Sequence, residues 1–297
     1  MTGPPPIECR SLGRRYGDLL AVDGLELSVP AGSATGFLGP NGAGKTTTLN
    51  MFVGLVRPTV GDARLFGIPS IEPAARSRIG FLPEEPAFYP GLTGIENLEL
   101  LAELDGVRAS PDRAWALEIL GVSRDDLRRR VGSYSAGTVQ KLGLVQAVQH
   151  RPDLVILDEP ANRLDAVARE GFRELVGQIV GAGRTVVLAS QALDEVEATC
   201  DRVAVLRRGR LVLTSSVDEL AARALRRLTV RYRSAPGAIP DGLIDPHVAG
   251  NVLSAKLPAG SIAVLRSLAT DPSVDDVLVE SASLEEALLG LYRRDDE

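Results

Sequence analysis

The order of apolar and polar residues along the chain predicts an α/β protein. Residues 21–29, AVDGLELSV, alternate between apolar and polar side chains, as a half-buried strand does. Two continuous apolar runs, LVILDEP at 154–160 and RTVVLAS at 184–190, are typical of strands buried on both faces of a parallel sheet. Helical patterns dominate residues 92–150, most clearly in IENLELLAEL and RAWALEIL.

The pattern changes near residue 222, which predicts a second, smaller module. Before that point, RVAVLRRGRLVL predicts a hairpin that turns at residues 207–209. After it, LTVRYR and VDDVLVE predict strands, SIAVLRSLA predicts a helix, and SLEEALLGLY predicts another helix capped by Ser283 and Glu286. We therefore expect a main domain at 1–222, with a helical subdomain at about 88–150, and a C-terminal α/β module at 228–297.

A glycine-rich segment carries the strongest chemical signal. GPNGAGKT fits the pattern G-x-x-x-x-G-K-[ST], with the predicted strand SATGFLG before it and a predicted helix from Lys45 after it. Glycines let backbone N–H groups curl around phosphate oxygens, and the helix adds its positive end. Lys45 would reach the β- and γ-phosphates and Thr46 would ligate Mg²⁺. The flanking elements favour this interpretation over a glycine-rich turn with a chance lysine. The predicted nucleotide-binding residues are Gly39, Pro40, Asn41, Gly42, Ala43, Gly44, Lys45, Thr46 and Thr47.

Two carboxylates end the apolar run LVILDE. Asp158 is placed to hold Mg²⁺, directly or through water, and Glu159 is placed to polarise an attacking water. On its own this pair could be a charged strand end that enters a loop. Beside a phosphate-binding loop it predicts a hydrolytic site.

The composition of the chain argues against several other classes of protein. The chain has 297 residues and a formal net charge of −6, which argues against nucleic acid as a partner. No apolar stretch approaches the roughly 18 residues of a membrane span. The first ten residues lack the pattern of a secretory signal, and the two cysteines lack metal-ligand spacing, so we expect a reducing cytoplasm.

From residue 7 to about 220 the motifs resemble those of the ATP-binding subunit of an ABC transporter, and they occur along the chain in the same order as in that family. The resemblance implies a P-loop NTPase (RecA-like) nucleotide-binding domain that uses ATP and Mg²⁺. RRYGDLLAVDGL resembles the segment whose aromatic residue stacks on adenine, which would be Tyr16; a core tyrosine is the alternative. IGFLPEEPAFYPGLTGIENL resembles the loop that couples nucleotide to the membrane subunit. There Glu84 stands where the family has glutamine, and it would ligate Mg²⁺ or remain a solvated loop residue.

Two further segments resemble the parts that meet the opposite subunit. SYSAGTVQKLGLVQA, the signature segment (residues 133–147), matches at Ser135 and Gly137 but has Ala136 and Thr138 where glycine and glutamine are common. ANRLDA matches at Asp165. It places Arg163 where the family often has glycine, and this bulk puts the interface geometry in question.

One catalytic position departs from the family. Gln191 stands where the family has a histidine that contacts the γ-phosphate. A glutamine donates and accepts hydrogen bonds but carries no positive charge. The resemblance thus assigns catalytic roles to Glu159, Lys45 and Gln191, with hydrolysis slowed by the last.

The sequences of these motifs are most similar to those of the ABC-2 type exporter branch. That implies an ATPase on the inner face of the cell membrane, joined to a permease on a separate chain and to a second nucleotide-binding subunit, identical or related. Two alternatives stay open: an ATP-binding switch that hydrolyses poorly beside a more active partner, and a soluble ABC protein of translation or DNA repair.

Overall fold

The structure is a computed structural model that describes residues 3–104, 106–107, 112–223, 226–234, 239–258 and 260–280. It divides into two compact units, Met1–Thr214 and Ser215–Glu297. This division lies earlier in the chain than the predicted domain end at 222. The predicted helix at 283–292 lies outside the described residues.

The first unit alternates strands and helices. Its strands are β1 (Ile7–Tyr16), β2 (Leu19–Val29), β3 (Ala34–Leu38), β4 (Val60–Leu65), β5 (Ile68–Pro69), β6 (Ile79–Leu82), β7 (Leu154–Asp158), β8 (Thr185–Ser190), β9 (Arg202–Arg207) and β10 (Arg210–Ser216), the last of which crosses the division. Its helices are α1 (Lys45–Phe52), α2 (Pro73–Arg76), α3 (Gly94–Leu104), α4 (Arg113–Ile119), α5 (Arg124–Arg128), α6 (Ala136–Val148), α7 (Ala166–Gly181) and α8 (Leu193–Thr199), with a 3₁₀ turn at Val131–Ser133 before α6.

A six-stranded sheet, ordered β10-β9-β3-β8-β7-β6, forms the centre of this unit. The pairs β9–β3, β3–β8, β8–β7 and β7–β6 are parallel, and every residue of β3, β7 and β8 is buried. The predicted strands at 154–158 and 185–190 are therefore confirmed. Because the carboxyl ends of parallel strands meet at one edge, the loops after β3, β8 and β7 lie side by side.

A second sheet, ordered β2-β1-β4-β5, is antiparallel and shares a core with the central sheet. The predicted alternation of β2 is confirmed, since Leu25, Leu27 and Val29 are buried between exposed neighbours. Helix α1 joins this core, where the rings of Phe37 and Phe52 meet edge to face at 5.9 Å. The phosphate-loop helix is thereby held on a rigid base.

The helices predicted between 92 and 150 are confirmed as α3, α4, α5 and α6. Their starts are set by capping: Thr93 and Glu96 exchange hydrogen bonds at α3, and Ser123 with Asp126 forms a capping box at α5. The Ser135 side chain accepts from the Thr138 N–H at 3.2 Å and so begins α6.

The second unit contains α9 (Val217–Arg223), β11 (Arg226–Tyr232), β12 (Ile244–Ala249), β13 (Val252–Leu257), α10 (Ile262–Thr270) and β14 (Val274–Glu280). Its strands form an antiparallel sheet ordered β12-β13-β11-β14. The predicted strands LTVRYR and VDDVLVE and the predicted helix SIAVLRSLA are confirmed as β11, β14 and α10. Val264 and Leu268 of α10 pack into a small core with the strands, so this unit has its own apolar centre.

Candidate functional site

The phosphate loop, residues 39–47, follows β3 and includes the first turn of α1, and its residues 41–47 line a cavity of about 630 Å³. Gly39 and Pro40 do not line it. Glycine is needed at two positions of this loop, because a larger side chain would clash with neighbouring backbone atoms and because one of the two has a positive φ. A Cβ on Gly39 would lie 2.3 Å from the Leu206 carbonyl oxygen. Gly44 has a φ of +100°, and a Cβ there would lie 2.5 Å from the carbonyl oxygen of Ala21. Any other residue at these positions would push the loop away from its neighbours.

Lys45 is buried at the base of this loop. Its Nζ donates to the Gly39 carbonyl oxygen at 2.7 Å and lies 3.6 Å from Oε1 of Glu159. Both side chains are less than a tenth exposed, so each charge depends on the other for compensation. A phosphate in the loop would compete with Glu159 for Lys45.

Asp158 and Thr46 fit a Mg²⁺ ion. The Asp158 carboxylate accepts a hydrogen bond from the Thr46 side chain, and burial raises its pKa, with nearby Glu84 adding to the rise. Asp158 is 1% exposed, yet its Oδ1 has no hydrogen-bond partner in the structure. A buried carboxylate oxygen without a donor is the kind of ligand that Mg²⁺ takes beside a Thr hydroxyl and phosphate oxygens. Within the described residues, no group of three or more His, Cys, Asp and Glu side chains forms a metal site by itself.

Glu159 stands at the turn after β7 in a left-handed conformation, with φ of +47°. Such strain in a non-glycine residue is costly and clusters at functional sites. Its backbone N–H bonds to the Ala189 carbonyl of β8 at 2.9 Å, which fixes the turn. Burial raises the pKa of Glu159, while Lys45 and a hydrogen bond from the Gln191 backbone N–H lower it. The carboxylate lines the cavity and could accept a proton from water there.

Gln191 follows β8, and its side chain is exposed. The loop is anchored by Ser190, whose Oγ donates to Oε2 of Glu195 at 3.0 Å and accepts from the Ala192 N–H at 3.0 Å. Burial raises the pKa of Glu195 to about 7. Sequence reasoning missed Glu195. The available signal was an acidic residue in the segment that directly follows the buried strand at 185–190.

Tyr16 lines the opposite part of the cavity with Leu19, Leu20 and Ala21. It is 42% exposed, so the alternative of a core tyrosine is wrong. The Arg14 guanidinium lies over its ring, 4.4 Å from the centroid. Glu84 also lines the cavity, and its side chain is exposed, which fits a Mg²⁺ ligand and a solvated loop residue equally.

The signature residues lie elsewhere. Ser135 caps α6 and Asp165 caps α7 by accepting from the Ala168 N–H at 2.8 Å. The two segments touch, because a Cβ on Gly137 would lie 2.8 Å from the Arg163 carbonyl oxygen. None of Ser135, Gly137 and Asp165 lines the cavity of its own chain.

Arg163 lies in the turn between β7 and α7, at a position where the backbone favours glycine. It takes a φ of +69°, the left-handed region that favours glycine, and its side chain extends to Glu85 at 3.4 Å. The Arg163 side chain, whose bulk put the interface geometry in question, is thus directed toward the loop that contains Glu84 and Glu85.

Sequence reasoning also missed Gln140 and Arg208. Gln140 is buried in α6, and its Nε2 donates to the Pro160 carbonyl at 3.0 Å, which links the signature segment to the turn after Glu159. Arg208 lines the cavity from the β9–β10 turn. Gln140 could have been found from the sequence, because it is a polar residue within an otherwise apolar helix. For Arg208 the sequence shows only that a turn is present.

Comparison with known proteins agrees with this geometry. The family model described as "ABC transporter" matches residues 22–162. An uncharacterised ABC transporter ATP-binding protein of Nostoc is 40% identical over 68% of this chain and 62% of its own length. The bacitracin transport ATP-binding protein BcrA of Enterococcus faecalis is 38% identical over 73% of this chain and 71% of its own. The chain thus spans a little under two thirds of the Nostoc relative.

Solved structures give the same fold. A structure described as the ATP-binding subunit of an ABC transporter superposes with a TM-score of 0.67, at 26% identity, over 72% of this chain and 91% of that one. In the described residues no helix is long and apolar enough to cross a membrane. Family, fold and phosphate loop agree: the chain belongs to the ABC transporter family, and the relatives that it matches are ATP-binding proteins of such transporters.

Proposed function

We propose that two copies of this chain sandwich two Mg-ATP molecules and drive export through a permease on a separate chain, at the inner face of the cell membrane. The observation that carries the proposal is the separation of the two halves of the site. The phosphate loop, Asp158 and Glu159 line one cavity, whereas Ser135 and Gly137 lie outside it. Ser135 is exposed at the start of α6, where the first N–H groups of the helix are available to an anion.

A twofold arrangement follows from this separation. Each chain has one complete phosphate-loop half and one complete signature half. An isologous dimer therefore forms two identical sites, each built from both chains. The transport role comes from relatives of the exporter branch, such as the protein named for bacitracin transport.

The reaction follows from the geometry of one half-site. The N–H groups of residues 42–47 and the Lys45 ammonium bind the phosphates, which removes Lys45 from Glu159. Asp158 and Thr46 would hold Mg²⁺, which when bound neutralises phosphate charge. Glu159, released from its ion pair, accepts a proton from the attacking water, and the Gln191 N–H holds its carboxylate in place.

Steady-state ATP hydrolysis by the wild-type chain and by Gln191→His tests this proposal, with the membrane subunit added where available. We expect slow but measurable turnover in the wild type, because base, metal ligand and phosphate clamp are all present. The histidine should raise turnover by about ten- to a hundredfold and change ATP affinity less, since a contact made in the transition state acts on rate. The exposed position of residue 191 leaves space for the ring.

Gln191→Ala is the matched control and should lower turnover further if the amide donates to the γ-phosphate. A histidine variant no faster than the wild type would mean that the site is organised around glutamine. If no variant hydrolyses ATP while all bind it, the alternative of an ATP-binding switch replaces the transport ATPase for this chain.

A further inference from the structure

The turn between β9 and β10 is fixed against the phosphate loop. The Gly209 N–H donates to the Ala43 carbonyl oxygen at 3.0 Å, and the Gly209 carbonyl accepts from the Asp23 N–H at 2.8 Å. A Cβ on Gly209 would lie 2.8 Å from the Ala21 carbonyl oxygen, so the turn approaches β2 as closely as a backbone can. The backbone of this turn is therefore fixed relative to the phosphate loop.

Arg208 occupies this turn and lines the cavity. Its φ is +48° and that of Gly209 is +80°, as in a type I′ turn, where asparagine or glycine would be less strained. Its neighbour Arg210 pairs with Asp23 at 2.6 Å. No ion pair within the described part of the chain involves Arg208, which leaves its charge uncompensated.

The position of Arg208 along the cavity indicates which part of a nucleotide it meets. In the proposed binding mode the base lies against Tyr16 and the γ-phosphate faces Glu159, and both residues line the cavity. The turn contacts Ala21, which follows the cavity residues Leu19 and Leu20 in the chain, and Ala43 of the phosphate loop. Apart from Lys45, which is already paired with Glu159, Arg208 is the cation among the residues that line the cavity.

We propose that Arg208 binds the α-phosphate side of the nucleotide through its guanidinium group. This inference rests on ATP occupying the phosphate loop, as proposed above. ATP and ADP share the α-phosphate, so the contact strengthens the binding of both to the same degree. It is made in the ground state as well as in the transition state, so its removal is measured as a loss of nucleotide affinity.

Calorimetric titration of Mg-ATP and Mg-ADP into Arg208→Asn tests the proposal. Asparagine removes the charge and tolerates the left-handed conformation, so the turn is not strained by the change. We expect both affinities to fall together by about five- to twentyfold. This is the size of loss expected for a charge-assisted hydrogen bond that is weakened by solvent exposure. Arg208→Lys keeps a positive charge without the planar fork and should recover part of the loss.

Arg210→Asn is the matched control, because it removes the same charge from the same hairpin outside the cavity and should bind both nucleotides as the wild type does. Three results would overturn the proposal: wild-type affinity in Arg208→Asn, an equal loss in Arg210→Asn, or a loss confined to ATP. If the wild-type chain itself binds neither nucleotide, the proposed function fails instead. Thermal unfolding of each variant checks that the fold is intact.

Discussion

Replacing Glu159 by glutamine is expected to lower ATP turnover by about a hundredfold or more while ATP still binds. The carboxylate lines the cavity, its pKa is raised by burial, and the strained turn at φ +47° holds it beside the phosphate loop. Glutamine keeps the shape of the side chain but cannot accept the proton from water. It also removes one negative charge from a site where Asp158 and Glu84 already repel phosphate.

The same change should favour the ATP-bound dimer. With hydrolysis blocked and repulsion reduced, gel filtration of Glu159→Gln in Mg-ATP should show a dimer peak that is absent without nucleotide. Glu85→Gln is a matched control, since Glu85 is exposed, lies outside the cavity and forms an ion pair with Arg163 at 3.4 Å. Turnover in Glu159→Gln within a few-fold of the wild type would show that another group activates the water.

Replacing Lys45 by alanine should weaken Mg-ATP binding by tenfold or more, about 1.4 kcal/mol. Lys45 is the one side-chain cation within the phosphate loop. The structure adds a second consequence, because Lys45 compensates the buried carboxylate of Glu159 at 3.6 Å. Without it the pKa of Glu159 moves further up, and part of the loss in the variant comes from this unpaired carboxylate.

The double variant Lys45→Ala/Glu159→Gln separates the two effects, since it removes the unpaired carboxylate and leaves only the lost phosphate contact. Calorimetry on the single and double variants measures both, with Lys256→Ala, an exposed lysine of the second unit, as control. Unchanged ATP affinity in both Lys45 variants would contradict the assigned phosphate site.

The sequence predicted the parts of the fold whose pattern is strong. The runs at 154–158 and 185–190 are apolar throughout because both faces of β7 and β8 are covered. Strand β1 was not predicted, since bulges near Ser11 and Gly13 break its alternation. Strand β12 was missed because all of its residues are exposed and no face selects apolar side chains.

The candidate site divides in the same way. Residues at or just after the ends of strands, such as Lys45, Asp158 and Glu159, were predictable, because each motif is contiguous and parallel strands bring their ends together. Arg208 and Glu195 were not, since their contribution depends on which way a turn or a helix faces. For Arg163 the sequence shows only its bulk at a position where the family often has glycine, and the structure adds its φ of +69° and its contact with Glu85.

The claim that each ATP site is built from two chains is tested most directly by mixing two variants that are inactive for different reasons. Lys45→Ala removes the phosphate clamp. Ser135→Asp keeps a good helix cap at α6 but places a negative charge against the γ-phosphate of the other chain. Each variant alone should show little ATP hydrolysis.

In a mixed dimer one site combines the intact phosphate loop of one variant with the intact signature segment of the other. In an equal mixture, half of the dimers contain one chain of each variant. Each of these dimers has one intact ATP site and one inactive site. The account therefore predicts that hydrolysis recovers to about a quarter of the wild-type rate. A mixture that hydrolyses ATP no faster than the sum of the separate variants, although dimers form, would contradict it.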